Sequence, residues 1–267
     1  MALNIVVCIK QVINPDYFEG LTLDPETGSI RRDNVPSILN PVDENALEEA
    51  LRIKESRDDV TVTAVSMGPP QADEILQWAL ALGCDQAVLL CDRAFAGADS
   101  LATAFTLAAA IRKLGTVDLV LCGNEAADGA TQQVGPQIAE LLGIPHATYV
   151  TGMGLGKDGT VVIQRAIEYG HLEMTSRLPM LVALLQEINE PRQVTADGLI
   201  SAMDKEILKW DTAGLEVSAD QVGLKASPTW VDGSYEKRIV RAGVMLEGTP
   251  AEMVKAAVSA LCEDGLL

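Results

Sequence analysis

The side chains from which catalytic machinery is usually assembled are scarce in this chain. Only two histidines, His146 and His171, occur in 267 residues. There is no H-E-x-x-H, no G-x-S-x-G and no paired cysteine cluster, so zinc-protease and serine-hydrolase chemistry have nothing to act through. The 5 cysteines, at positions 8, 84, 91, 122 and 262, are odd in number and include no C-x-x-C pair. They suggest neither a disulfide framework nor a thiolate metal site, and read as small hydrophobes. Basic residues are few: 20 Lys+Arg stand against 38 Asp+Glu, a formal net charge of −18. That field repels nucleic-acid phosphates and anionic lipid headgroups, and no Lys/Arg cluster offsets it locally. Nucleic acid and direct membrane insertion are therefore not expected. The longest nearly apolar stretch, Leu101 to Ile111, is interrupted by Thr103 and Thr106 and falls well short of the roughly 20 residues a spanning helix needs. The start, Met1-Ala2-Leu3-Asn4, has no basic leader and enters an apolar run at once, which suggests a cytoplasmic protein.

What is present is a globular composition with 48% hydrophobic residues, enough for one large core or a core with an appendage. Through residue 150, short aliphatic runs alternate with longer stretches of helical period. This predicts an α/β fold with a mostly parallel sheet and flanking helices. Strands are expected at Asn4–Ile9, Val60–Ser66, Gln86–Leu90, Asp118–Cys122 and His146–Val150. One helix follows Asn40, a candidate cap, with Pro41 at its first position and Asp43 near its positive end. Its inner face would use Leu47, Ala50, Leu51 and the stem of Lys54. Three more are expected at Gln71–Leu82, Asp99–Leu114 and Thr131–Leu142, each stopped by a glycine. Leu21 to Arg31 reads as a small inserted hairpin. Carboxylate pairs such as Asp58-Asp59 and Glu48-Glu49 read as surface charge.

Beyond Gly152, Thr160–Arg165 and Met180–Leu185 read as strands. Asn189 to Thr229 loses periodicity, and a last amphipathic helix runs from about Pro250 to Cys262. The expected division is an α/β domain at 1–188 and, at 189–267, a segment too polar to build its own core, which reads either as an extended arm around a partner or as a loosely packed loop. Gly154-Leu155-Gly156-Lys157-Asp158-Gly159 satisfies the letters G-x-G-x-x-G. It leads, however, into the strand-like Thr160-Val161-Val162-Ile163 instead of a helix, so the segment reads as a hairpin turn.

The better candidate site runs from Gly123 through Asn124, Glu125, Ala126, Asp128, Gly129, Ala130, Thr131, Gln132 and Gln133 to Val134, from a strand end through a small-residue loop into a helix. It is either an ordinary strand-to-helix connection or a cradle in which backbone amides and the helix dipole hold phosphates. In a parallel sheet, Cys8 and Lys10 at the end of the first strand, Met67 at the end of the second, and Asn40 to Asp43 should lie nearby. No side chain stands out as a nucleophile or general base, and no metal site is indicated.

Together these segments resemble the β subunit of the electron-transfer flavoproteins across essentially the whole chain. The matching stretches are Val7 to Val12, Asn40 to Ala50, Val65 to Pro69, the Gly123 loop and Asn189-Glu190-Pro191-Arg192. The resemblance implies an adenine-nucleotide-binding α/β domain at 1–188, followed at 189–267 by a partner-docking loop and a C-terminal arm with a terminal helix. It also implies a heterodimer with an α subunit that carries its own FAD, and a β subunit that binds either AMP or a second FAD. Asp128 to Pro136, Asp92 to Thr103 and Val222 to Thr229 resemble the FAD-containing, electron-bifurcating branch. There the β flavin takes a hydride from NADH and passes electrons to ferredoxin or flavodoxin and, through the α-subunit FAD, to a flavin dehydrogenase. On this resemblance the cofactor-binding residues are Cys8, Lys10, Asn40, Pro41, Val42, Asp43, Met67, the loop Gly123 to Val134, and Asp92, Phe95, Ala98, Asp99 and Thr103.

The sequence departs from the family pattern in places. Asn124-Glu125 stands where a basic residue and Gln are common, and Ala130 and Ala166 where acids are common. Thr195 to Asp204 lacks the basic run of the AMP branch, which implies a specialised or fused dehydrogenase partner. Alternatives of a different class are an ATP-pyrophosphatase-type enzyme, whose Ser-Gly-Gly-rich loop is missing after the first strand, and an ATP-binding stress module.

Overall fold

The computed structural model describes residues 2–17, 35–230 and 243–267. The expected hairpin at Leu21 to Arg31 lies outside these residues. The chain divides into two units, Met1–Asp232 and Gly233–Leu267. The first contains the sheet. Its strands are β1 (Leu3–Cys8), β2 (Gln11–Ile13), β3 (Ser37–Leu39), β4 (Val60–Met67), β5 (Gln86–Leu90), β6 (Leu119–Gly123), β7 (His146–Leu155), β8 (Thr160–Ile167), β9 (Gly170–Arg177), β10 (Met180–Leu184) and β11 (Ile207–Trp210). Its helices are α1 (Pro41–Glu55), α2 (Asp73–Leu82), α3 (Ser100–Leu114), α4 (Val134–Leu142), α5 (Ala196–Met203) and the single turn α6 (Gly223–Ala226). The second unit holds α7, Pro250–Glu263.

Nine strands form one sheet in the order β11-β5-β4-β1-β6-β10-β7-β8-β9, and β2 pairs with β3 separately. All pairings from β11 to β7 are parallel, and β7-β8-β9 is antiparallel. The period of two in each strand divides the core between the two faces of the sheet. On β1, Leu3, Ile5 and Val7 pack with Leu47 and Ala50 of α1 and Leu76 and Ala79 of α2. Val6 and Cys8 pack on the opposite face with Leu107 and Ile111 of α3 and Ile138 of α4. Complete burial of a leucine such as Leu47 or Leu121 stabilises by about 2 kcal/mol. No described helix is long and apolar enough to cross a membrane.

The helices α2, α3 and α4 stop at Gly83, Gly115 and Gly143, all at positive φ, as the glycine signals predicted. Helix α4, however, begins at Val134 and not at Thr131, because Ala130 and Gln132 take left-handed backbone at φ 47° and 58° and keep the chain out of the helix. Asn40 occupies the N-cap position of α1 without capping it by its side chain. Residues 189–229, which read as irregular, contribute α5 and the edge strand β11. Glu48, read as surface charge, is buried, accepting hydrogen bonds from Arg52 and Arg192 at 2.7 Å each. The Gly154–Gly159 segment makes the β7–β8 turn, with the Gly156 amide donating to the Thr160 carbonyl.

Candidate functional site

Chain order around the sheet reverses beside β1: β4 and β5 lie on one side and β6 on the other. The carboxyl ends of β1 and β6 therefore flank a switch point, where open α/β sheets bind ligands. Asp43, in the first turn of α1, closes the base of this crevice. Its Oδ2 accepts the Lys10 amide at 2.8 Å and its Oδ1 the Gly123 amide at 2.9 Å. One carboxylate thus ties the chain after β1 to the last residue of β6. Burial pushes its pKa up to about 7, against the opposing pull of hydrogen bonds from Asn40 and the two amides. Gly123 has to be glycine, since a Cβ there would stand 2.5 Å from Asp43 Oδ1 and 3.0 Å from Val42 Cβ. Pro41 starts the helix, placing Val42 against this joint.

The loop after Gly123 is held from several directions. Asn40 is buried and turns its side chain to the loop: Nδ2 donates to the Glu125 carbonyl at 2.9 Å, and Oδ1 accepts the Ala127 amide at 3.0 Å. Its missing helix cap is explained by this use. The Ala126 carbonyl accepts the amides of Gly129 and Ala130, Lys10 Nζ pairs with Asp128, and Gln132 Nε2 donates to Glu125 Oε2 at 2.7 Å. Ser100, at the start of α3, donates to Gln133 at 3.0 Å. The outermost residues, Gly129 to Thr131, are exposed.

Two features suit this site to a nucleotide. The N-terminus of α4 has no side-chain cap and no acid in its first turn, leaving its dipole free for an anion. By contrast, Asp99 caps α3 through the Ala102 amide at 3.0 Å. Asn124 at the end of β6 is buried with its Oδ1 accepting the Tyr149 amide, and its Nδ2 has no partner. Unmet buried polar groups are costly and rare in a folded chain, and a ligand's hydroxyls or phosphates are partners of the right kind.

The remaining expected residues divide. Met67 ends β4 beside the crevice, half-buried. Cys8 is buried in the core, and burial, with the Asp43 charge adding, pushes its thiol up to about 12, so it packs and does not react. Asp92 uses one oxygen on the Ala94 amide and the other on Thr212. Asp99 similarly holds Thr229 with its second oxygen at 2.8 Å. Phe95 is buried among core residues below them, and Ala98 and Thr103 are half-buried. This stretch therefore fastens residues 212–229 to the sheet, and its bond to the Gly123 loop is the Ser100–Gln133 contact. Tyr149, at φ 57° on β7, hydrogen-bonds Asn124 and Gln132. Sequence reasoning missed it because nothing in the letters marks an aromatic residue that takes left-handed backbone.

Residues 27–213 match the model of the electron transfer flavoprotein domain. The chain is 45% identical over 262 residues to electron transfer flavoprotein subunit beta of Clostridium acetobutylicum, covering 98% of this chain and 99% of that one. It is 43% identical over 266 residues to caffeyl-CoA reductase-Etf complex subunit CarD of Acetobacterium woodii, covering 99% and 100%. Protein FixA of Sinorhizobium fredii is 42% identical over 238 residues, covering 86% of this chain and 81% of that one.

Proposed function

The chain belongs to the electron transfer flavoprotein family as a β-type subunit, and from that premise we propose that it binds FAD at the Gly123–Val134 loop within a heterodimer. Its partner is an electron-transfer flavoprotein α subunit carrying a second FAD. The complex works in the cytoplasm, taking electrons from NADH and delivering them to ferredoxin or flavodoxin and, through the α-subunit FAD, to a flavin dehydrogenase. The observation that carries the nucleotide site is the uncapped start of α4 together with the unpartnered Asn124 Nδ2, at the switch point that Asp43 closes, while the choice of FAD rests on the resemblance of Asp128 to Pro136, Asp92 to Thr103 and Val222 to Thr229 to the FAD-containing branch. Relatives named as parts of reductase complexes support the dehydrogenase partner: CarD belongs to a caffeyl-CoA reductase-Etf complex, and the acryloyl-CoA reductase electron transfer subunit gamma of Anaerotignum propionicum is 38% identical over 269 residues.

In this reading the α4 amides and the amides of the loop receive the phosphates. Asn124 supplies a buried polar contact, and Lys10, held to Asp128, places one positive charge beside the loop. The bound flavin supplies the electron acceptor and donor. The protein's part is to bind it, exclude water and set the surrounding charge, with no side chain acting as nucleophile. Residues 189–267 serve as the docking loop and arm, separate in role from the nucleotide domain at 1–188.

Steady-state assays of the purified heterodimer test the electron route. NADH oxidation should require both ferredoxin and the partner dehydrogenase with the oxidised form of its substrate as acceptor. Electron flow from dehydrogenase to α-subunit FAD without any NADH-dependent ferredoxin reduction would make the chain an AMP-binding shuttle subunit instead.

A further inference from the structure

We propose that Tyr149, on β7 and outside the Gly123–Val134 loop, is the positioning residue that keeps this loop in its nucleotide-binding conformation. The proposal rests on the nucleotide-site reading above and adds how the loop is held.

The register of β7 against β10 runs Leu181↔His146, Val182↔Ala147 and then Leu184↔Val150. Two steps on β10 thus match three on β7, so β7 carries one extra residue at Thr148–Tyr149. A bulge of this kind unpairs a backbone group and re-aims a side chain. Here it places Tyr149 at φ 57°, a backbone region that bulky residues adopt only where the surroundings impose it. The amide leaves the strand ladder and donates to Asn124 Oδ1 at 3.0 Å. The phenol hydroxyl donates to Gln132 Oε1. Gln132 is itself in left-handed backbone, so Tyr149 grips the loop at both ends of its irregular stretch. From the other side, Arg165 of β8 lies 5.7 Å from the centre of the tyrosine ring and donates to the Thr148 carbonyl at 3.0 Å, fixing the bulge itself.

The hydroxyl also settles which way the Gln132 amide faces. With Oε1 engaged by the phenol, Nε2 points to Glu125 Oε2, 2.7 Å away. Glu125 is a carboxylate in a loop that is to receive phosphates, inside an already acidic protein. Held by Gln132, it is drawn onto a protein donor. Without the phenol, Gln132 loses the bond that orients it, and the Glu125 charge is freed to oppose the ligand. Tyr149 therefore acts through Gln132 on Glu125 and needs no contact with the cofactor.

The test uses the complete heterodimer, in wild-type form and as Tyr149→Phe, Tyr149→Gly, Glu125→Gln and the double variant Tyr149→Phe/Glu125→Gln. Retained FAD and AMP are measured by chromatography after timed gel filtration, and melting is followed by circular dichroism. Tyr149→Phe should release the β-site nucleotide about five- to tenfold faster, the scale of one hydrogen bond, with melting nearly unchanged. Tyr149→Gly suits the left-handed backbone but removes the ring together with its hydroxyl, so it should lose nucleotide at least as fast as the phenylalanine variant, and slower loss would overturn the proposal. In the double variant, release should slow to within about twofold of Glu125→Gln alone, because the carboxylate is no longer there to be freed. Unchanged release from Tyr149→Phe would overturn the proposal, as would a double variant no slower than Tyr149→Phe. A wild-type complex with neither FAD nor AMP in this chain would overturn the nucleotide-site reading itself, and the role of Tyr149 with it.

Discussion

Asp43 and Gly123 meet so closely that the hydrogen bond between them leaves no room for a side chain: the amide of Gly123 donates to Asp43 Oδ1 at 2.9 Å, and a Cβ on the glycine would lie 2.5 Å from that oxygen. The first turn of α1 and the last residue of β6 are locked together, and the loop beyond Gly123 takes its direction from this joint.

Gly123→Ala should therefore break the joint. The added methyl also meets the Asp43 amide nitrogen at 3.2 Å, so neither a side-chain rotation nor a small shift of the carboxylate makes room. Overpacking of this kind costs about 1–3 kcal/mol. Urea denaturation of the variant should show that loss, together with loss of bound nucleotide from the heterodimer.

The Asp43 carboxyl gives the chain a recognisable pH response. Its folded pKa is raised from 3.8 to about 7, mainly by burial. The folded state thus holds its proton more tightly than the unfolded chain, and the resulting stabilisation is full below the unfolded value and lost as pH rises through about 7. Asn at this position does not titrate. The stability of wild type relative to Asp43→Asn should fall between about pH 4 and 7, by up to about 1.4 kcal/mol per pH unit, and level off above. Denaturant midpoints across this range measure it, and parallel curves for the two proteins would refute it.

Asn124 offers a charge test of the site. Asn124→Asp keeps an oxygen for the Tyr149 amide but replaces the unpartnered Nδ2 with an acceptor and adds a negative charge. If Nδ2 donates to the nucleotide, affinity should drop at least about tenfold, the cost of a lost hydrogen bond plus repulsion. Titration calorimetry of nucleotide into the depleted heterodimer reads this directly.

Arg192 clamps the stretch leading to α5 onto α1 through Glu48 and Glu55. Burial raises Glu48, but the hydrogen bonds from Arg192 and Arg52 outweigh it and hold the carboxyl below its ordinary 4.5. Its contribution is present above that value and is lost as pH falls through the depressed one. Arg192→Met should cost about 2 kcal/mol at neutral pH, with a smaller difference in acid. Faster proteolytic cutting within residues 195–204 should accompany it.

The parallel sheet was legible because its central strands bury both faces and read as apolar runs such as Ile5-Val6-Val7-Cys8, and because three helices end in glycines. β9 gave no such signal: nearly every residue from Gly170 to Arg177 is exposed, so no periodic pattern marks the strand. β11 is a four-residue edge strand whose place comes from pairing with β5, a partner far away in sequence. At the site, the strand ends and the Gly123 loop could be read from chain order and small residues. What could not be read were the roles set by tertiary contact: Asn40 serving the loop instead of its helix, Glu48 buried under two arginines, and Tyr149 in a bulge that depends on its register with β10.

The most direct measurement is a cofactor count. The chain is co-expressed with its α subunit, and the purified heterodimer is denatured and analysed by chromatography for FAD and AMP. The account predicts two FAD and no AMP per heterodimer. One FAD with one AMP would contradict the flavin assignment, and one FAD with no second nucleotide would contradict the site itself.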